Sequence, residues 1–213
     1  MRGMNRSIQA AVMFAILAAG GATRGEEPNL FSGGDLGKHW KTKGNWKLGG
    51  DAVVTLEPRP GESGWTRYDS YLWLEGPDAR DFTAEFDYQF QKGGNSGFYF
   101  HVGNRAEPVA TGIEVQLYES GSKPKDAKLT DHDAGGVIPG VAPKKNTAKP
   151  AGEWNSMKVD VTGEKLVVTL NGEVVNEVAL DAGPLASRPK TGAIGFQDHA
   201  LPVKLRTFRI TRR

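Results

Sequence analysis

Residues 81–90 read DFTAEFDYQF, and how these ten positions are read decides the fold. Phe82, Ala84, Phe86, Tyr88 and Phe90 fall on one side of an extended chain, with Thr83, Glu85, Asp87 and Gln89 on the other. Side chains alternate across a strand but return every 3.6 residues on a helix, so a period of two predicts a half-buried β-strand. The same alternation assigns Phe98, Phe100 and Val102 of GFYFHV to a core, along with Ile113, Val115 and Leu117 of GIEVQLY and Met157, Val159 and Val161 of SMKVDV. In KLVVTLNGEVVNEVAL two such runs flank Asn171-Gly172, the dipeptide suited to a type I′ hairpin because both central residues need positive φ. NWKLGGDAVVTLEP and SYLWLE add early strands, GAIGFQDH and VKLRTFRITR late ones. About ten short strands punctuated by Gly, Pro and Asn predict an all-β fold, an antiparallel β-sandwich.

The 213 residues suffice for one core, so a single domain over 28–213 is expected. It follows a secretory signal at 1–22, where Arg2 and Arg6 precede an apolar run from Ile8 to Ala19 that ends in small residues. Cleavage after Ala22 or as late as Gly25 fits that pattern, and it gives an exported protein, periplasmic or extracellular, with no integral membrane association afterwards. The apolar run is short for a bilayer span. With no cysteine, an exported chain of this kind relies on its core rather than on disulfides. Removing Arg2 and Arg6 from 27 basic residues leaves 25 against 25 acidic ones, a balance that argues against nucleic acid as a partner and suits a neutral ligand.

The second faces of the middle strands are unusual. Alternation places Tyr99 and His101 together, then Glu114, Gln116 and Tyr118, and later Gln197 and His199. A solvated sheet face normally carries Lys, Thr and Glu. Aromatic rings, carboxamides, a carboxylate and imidazoles together match a carbohydrate, whose hydroxyls need donors and acceptors and whose C–H faces need flat apolar surface. Glu119–Gly152 lacks periodicity and is rich in Lys, Pro and Gly, which predicts a long loop crossing near a ligand site. Within it Asp131, His132 and Asp133 are consecutive, a spacing that suits a solvated loop better than three ligands on one ion. No serine-nucleophile elbow, HExxH, P-loop or Rossmann fingerprint is present.

The order of NLFSGGDLGKHW, DFTAEFDY, GGNSGFYFH, GIEVQLYE, APKKNTAKPAGEWNSMKV, LNGEVV and GAIGFQDHALPVKLRTFRI resembles the DUF1080 family, the 3-keto-disaccharide hydrolase domain, from Asn29 to Ile210. The resemblance implies a concanavalin-like or LamG-like jelly roll in an exported hydrolase acting on a disaccharide or related glycoside oxidised at C3. A ketone at C3 acidifies the C2 proton, so a base can remove it and expel the glycosidic oxygen, after which water adds. In that scheme Glu114 or His199 is the base, with Glu114 preferred because flanking Ile113 and Val115 favour a raised pKa. Asn95, Tyr99, His101, Gln116, Gln197 and Asp198 are the expected substrate-binding residues. No metal-ligand motif supports a cofactor; a divalent cation such as calcium is the alternative source of polarisation at the ketone. The alternative function is a non-catalytic carbohydrate-binding sandwich. Family members commonly carry Arg at the positions of Gln89 and His101 and Tyr at that of Pro139, so these three residues mark where this chain departs.

Overall fold

In the computed structural model, which describes residues 27–124 and 126–213, the expected alternation becomes two facing antiparallel sheets. The signal peptide expected at 1–22 lies outside the described residues. In chain order the strands are β1 (Trp40–Lys41), β2 (Trp46–Leu48), β3 (Val54–Leu56), β4 (Leu72–Leu74), β5 (Phe82–Phe90), β6 (Asn95–Val102), β7 (Ile113–Tyr118), β8 (Val137–Ile138), β9 (Trp154–Thr162), β10 (Lys165–Leu170), β11 (Glu173–Ala179), β12 (Ala193–Phe196) and β13 (Val203–Arg212). One sheet has the order β1-β4-β12-β6-β7-β8, the other β11-β10-β9-β5-β13-β3-β2. This is the jelly-roll sandwich expected from the sequence. Among the described residues no helix is long and apolar enough to cross a membrane.

The core lies between the sheets. Phe82, Ala84, Phe86, Tyr88 and Phe90 of β5 are all buried, as their spacing requires, and Phe86 meets Phe98 and Phe196 of the opposite sheet at ring-centroid distances of 5.1 and 4.9 Å. Met157, Val159 and Val161 of β9 close the layer beside them. Asn171 and Gly172 have φ of 52° and 82°, and Leu170 pairs with Glu173 around them, which is the two-residue hairpin with positive φ at both positions.

One strand departs from strict alternation. Against β12, Tyr99 pairs with Gly195 but Val102 pairs with Ala193, so β6 spends one more residue than its neighbour over that interval. The extra residue is a β-bulge at His101, whose φ is 51°, in the left-handed region where His is one of the better tolerated side chains. The bulge corrects two expectations. Val102 joins Tyr99, Tyr71 and Trp73 on the outer face rather than the core. His101 turns away from that face, packing 6.2 Å from Phe82 with Nε2 2.8 Å from the Arg80 carbonyl, to which it donates.

Candidate active site

The outer face of the six-stranded sheet is built over two glycines. Tyr99 of β6 pairs with Glu114 of β7, and Gly97 pairs with Gln116. A Cβ placed on Gly97 would stand 1.9 Å from Glu114 Oε1 and 2.6 Å from its Cδ, so the carboxyl group occupies the space that glycine leaves. Gly195 does the same for Trp73, whose ring would meet a Cβ at 2.5 Å. Asn95, Ser96 and Gly97 all lie in β6, and the glycine serves the side chain beside it.

Six of the expected residues, Asn95, Tyr99, Glu114, Gln116, Gln197 and His199, line one cavity of about 150 Å³ on this face. Compared with the roughly 30 Å³ that one water occupies in the liquid, that is room on the scale of a single sugar ring. Trp65 and His132 from loops, Val109 from the short helix Pro108–Thr111 and Ile138 from β8 complete the walls. Trp65 lacked any periodic context in PGESGWTRYDS; an isolated Trp among Gly and Ser was the available signal. Aromatic contacts run from it inward, Trp65 to Tyr68 at 6.3 Å, Tyr68 to Tyr71 at 5.8 Å and Tyr71 to Tyr99 at 5.6 Å. The Tyr71 hydroxyl donates to the Trp65 carbonyl at 3.0 Å and fixes that loop.

Glu114 is the chemical centre of the floor. It is 5% exposed and accepts a 2.6 Å hydrogen bond from the Tyr99 hydroxyl. Burial pushes its carboxyl up to about 7, and the Tyr99 bond, which favours the charged form, only partly opposes this. Burial and the neighbouring carboxylate push Tyr99 far above its usual range, so it stays a donor. The Gln116 amide donates to Asn95 Oδ1 at 2.8 Å, which leaves the Gln116 oxygen and the Asn95 amide for a ligand. Gln197 is held by its backbone N–H to the Gly97 carbonyl at 2.8 Å, while its side-chain Oε1 is buried with no partner among the described residues. Half-buried His199 has its pKa lowered by desolvation, so it is neutral at pH 7.

Two expected residues stand elsewhere. His101 is removed by the bulge. Asp198, fully buried, turns away from the cavity: its Oδ1 accepts from Arg67 Nη2 and from the Ala200 N–H, each at 2.8 Å. Arg67 also reaches Glu62 at 3.0 Å, so Asp198 ties the loop bearing Trp65 to the end of β12. Gln89 donates to the Gly152 carbonyl at 2.8 Å from β5 of the other sheet, and Pro139 follows the lining residue Ile138. None of the three departures from the family pattern therefore lines the cavity, and Pro139 stands next to a residue that does. The Asp131-His132-Asp133 run splits: His132 is at the mouth, and Asp133 is buried against Ser120 and Thr130.

Comparison with known proteins agrees with this architecture. The family profile described as 3-keto-alpha-glucoside-1,2-lyase-like domain matches residues 27–211. A Parabacteroides distasonis structure provisionally described as a glycosyl hydrolase is 23% identical, with a TM-score of 0.70 over 86% of this chain and 92% of that one. Carbohydrate-binding module CBM66 from Bacillus subtilis is 15% identical, with a TM-score of 0.55 over 81% of this chain and 94% of that one. Bacillus licheniformis β-glucanase is 11% identical, with a TM-score of 0.57 over 87% of this chain and 97% of that one. At these identities the solved structures bear on the fold alone. No curated protein sequence matches the chain.

Proposed function

The chain belongs to the 3-keto-α-glucoside-1,2-lyase-like family, and from that premise we propose that it cleaves 3-keto-disaccharides or related glycosides by removing the C2 proton and expelling the glycosidic oxygen. Glu114 carries this reading. A base works best when its pKa lies near the working pH, and burial brings this carboxyl to about 7 at the floor of a ring-sized cavity. The ketone acidifies the C2–H bond that the carboxylate attacks. Charge then develops on the C3 oxygen, where neutral donors such as the His199 ring and the amides of Asn95 and Gln197 are the available stabilisers. Tyr99 and Trp65 supply apolar surface for the C–H faces.

The test compares the parent with Glu114→Gln, which keeps the side-chain shape and an acceptor for Tyr99. We expect cleavage of a 3-keto-disaccharide to fall about a thousandfold while binding, followed by calorimetry, persists. Equal rates in the two proteins would remove Glu114 from the role of base. The second reading is a non-catalytic sugar-binding sandwich, favoured by the likeness to a carbohydrate-binding module. It prevails if the parent binds sugars yet cleaves none of a panel of oxidised and ordinary glycosides. Export is part of the same proposal, argued from residues 1–22, and mass spectrometry of the mature N-terminus tests it.

A further inference from the structure

We propose that His132, oriented by Asp131, protonates the departing glycosidic oxygen and then serves as base for the incoming water. The proposal rests on the elimination reading above. His132 Nδ1 lies 2.8 Å from Asp131 Oδ1. An ionised carboxylate only accepts, so Nδ1 carries the proton and Nε2 is the nitrogen left for the cavity that His132 lines. Asp131 is itself fixed, because its Oδ2 accepts the Gly140 N–H at 2.7 Å. Partial burial pushes the Asp131 carboxyl up, but the Gly140 N–H and the imidazole outweigh it and hold it ionised below its ordinary value. The arrangement is an acid-base imidazole with a carboxylate that sets its tautomer and direction.

Depth in the cavity separates the two roles. Glu114 is 5% exposed at the floor, whereas the His132 side chain is 72% exposed at the mouth. With a ring lodged against Glu114, its aglycone faces the open side of the cavity, where the exposed His132 is one of the lining residues. His199 is less suited: its nearest carboxylate in sequence, Asp198, is engaged by Arg67 and the Ala200 N–H.

The steps balance. The Glu114 carboxylate takes the C2 proton, the released electron pair forms the C1–C2 double bond, and the C1–O bond breaks with its pair on oxygen. That oxygen takes the Nε2 proton of the His132 imidazolium and leaves as an alcohol. Water then adds at C1, giving a proton to neutral His132, and Glu114 returns its proton to C2. Both groups regain their starting states, with one water consumed per glycoside.

Two 3-keto-glucosides that share the ring and differ in leaving group provide the test, one releasing a sugar and the other 4-nitrophenolate, which needs little protonation. For His132→Ala we expect kcat/KM to fall about 100-fold on the disaccharide and only a few-fold on the nitrophenyl glycoside, with partial rescue by added imidazole. Asp131→Asn, which acts through His132, should shift the same ratio by about tenfold. His132 is exposed, so its truncation leaves the fold intact. Equal losses on both substrates, or none while Glu114→Gln is inactive, overturn the assignment of His132 alone. A parent that cleaves neither substrate overturns the elimination reading and this proposal with it.

Discussion

The two outer faces of the sandwich come from strands with the same alternation, yet one is wet and the other is a cavity floor. On the seven-stranded sheet the outward residues are an ordinary charged surface: Lys158 lies 3.5 Å from Glu85 with both side chains about half exposed, and Arg206 pairs with Asp87 at 2.9 Å while its guanidinium lies over Trp154. On the six-stranded sheet the outward residues Tyr71, Trp73, Tyr99, Glu114 and Gln116 are each 5% exposed or less. Covering loops make the difference. The segment bearing Trp65, held by Tyr71 and by Arg67 on Asp198, and the segment bearing His132 and Ile138 roof one face only. Strand periodicity decides which side a residue faces; the loops decide whether that side is dry enough to perturb a carboxyl.

The largest effect should come from a methyl group on the dry face. Gly97→Ala sets a Cβ where Glu114 Oε1 now lies, and the backbone of this strand residue tolerates alanine, so the carboxylate moves rather than the strand. Cleavage should fall about as far as in Glu114→Gln, with a stability loss of about 1–3 kcal/mol from overpacking. Gly94→Ala is the matched control, immediately before the same strand. Its Cβ would meet the Phe90 ring at 2.5 Å, in the core, and should lower Tm while changing kcat little. If the two variants lose activity in proportion to stability, Gly97 has no special bearing on the carboxylate.

This comparison also explains what was legible in the sequence. β5, β9 and the Asn171-Gly172 hairpin are periodic over their whole length, so burial followed from spacing, and Glu114, Gln116 and Tyr99 could be placed together because β6 and β7 pair in simple register. His101 was misplaced because a single left-handed residue inverts the phase of everything after it, and an isolated His gives no warning of that. Asp198 follows Gln197 beyond the end of β12, where alternation no longer governs direction. Trp65 and His132 arrive from loops, whose positions depend on contacts such as Arg67 with Asp198 that span 131 positions of sequence. Those contacts have no period to read.

A middle-sized effect should separate burial from hydrogen bonding at Glu114. As the base must be ionised, Glu114 sets a rising limb of kcat/KM near pH 7, read on the nitrophenyl glycoside, whose leaving group needs little protonation. Tyr99→Phe deletes the donor that favours the ionised carboxylate, so the rising limb should move to higher pH and the rate at pH 7 should drop about tenfold. The sign for stability is the reverse of the usual carboxylate case. The folded chain keeps a proton up to about 7 that the unfolded chain releases near 4.5, so this group costs stability as pH rises between those values, by about 3 kcal/mol at most. Glu114→Gln should flatten that part of a denaturation-versus-pH series. A parent curve with no decline across the interval would place the carboxyl in wetter surroundings than 5% exposure implies.

The smallest effect belongs to the wet face. Glu85 is an outward carboxylate on a central strand, as Glu114 is, and it too has a partner, Lys158. Its side chain is 53% exposed, so water solvates both charges and the pair adds little that solvent does not already supply. Glu85→Gln should change stability by less than about 0.5 kcal/mol, fading further with added salt, and leave cleavage unchanged. A loss of activity in this variant would mean that substrate also contacts the seven-stranded sheet. The two glutamates share residue type and strand alternation, so the difference in stability between their glutamine variants reports the dry surroundings of Glu114, its Tyr99 hydrogen bond included.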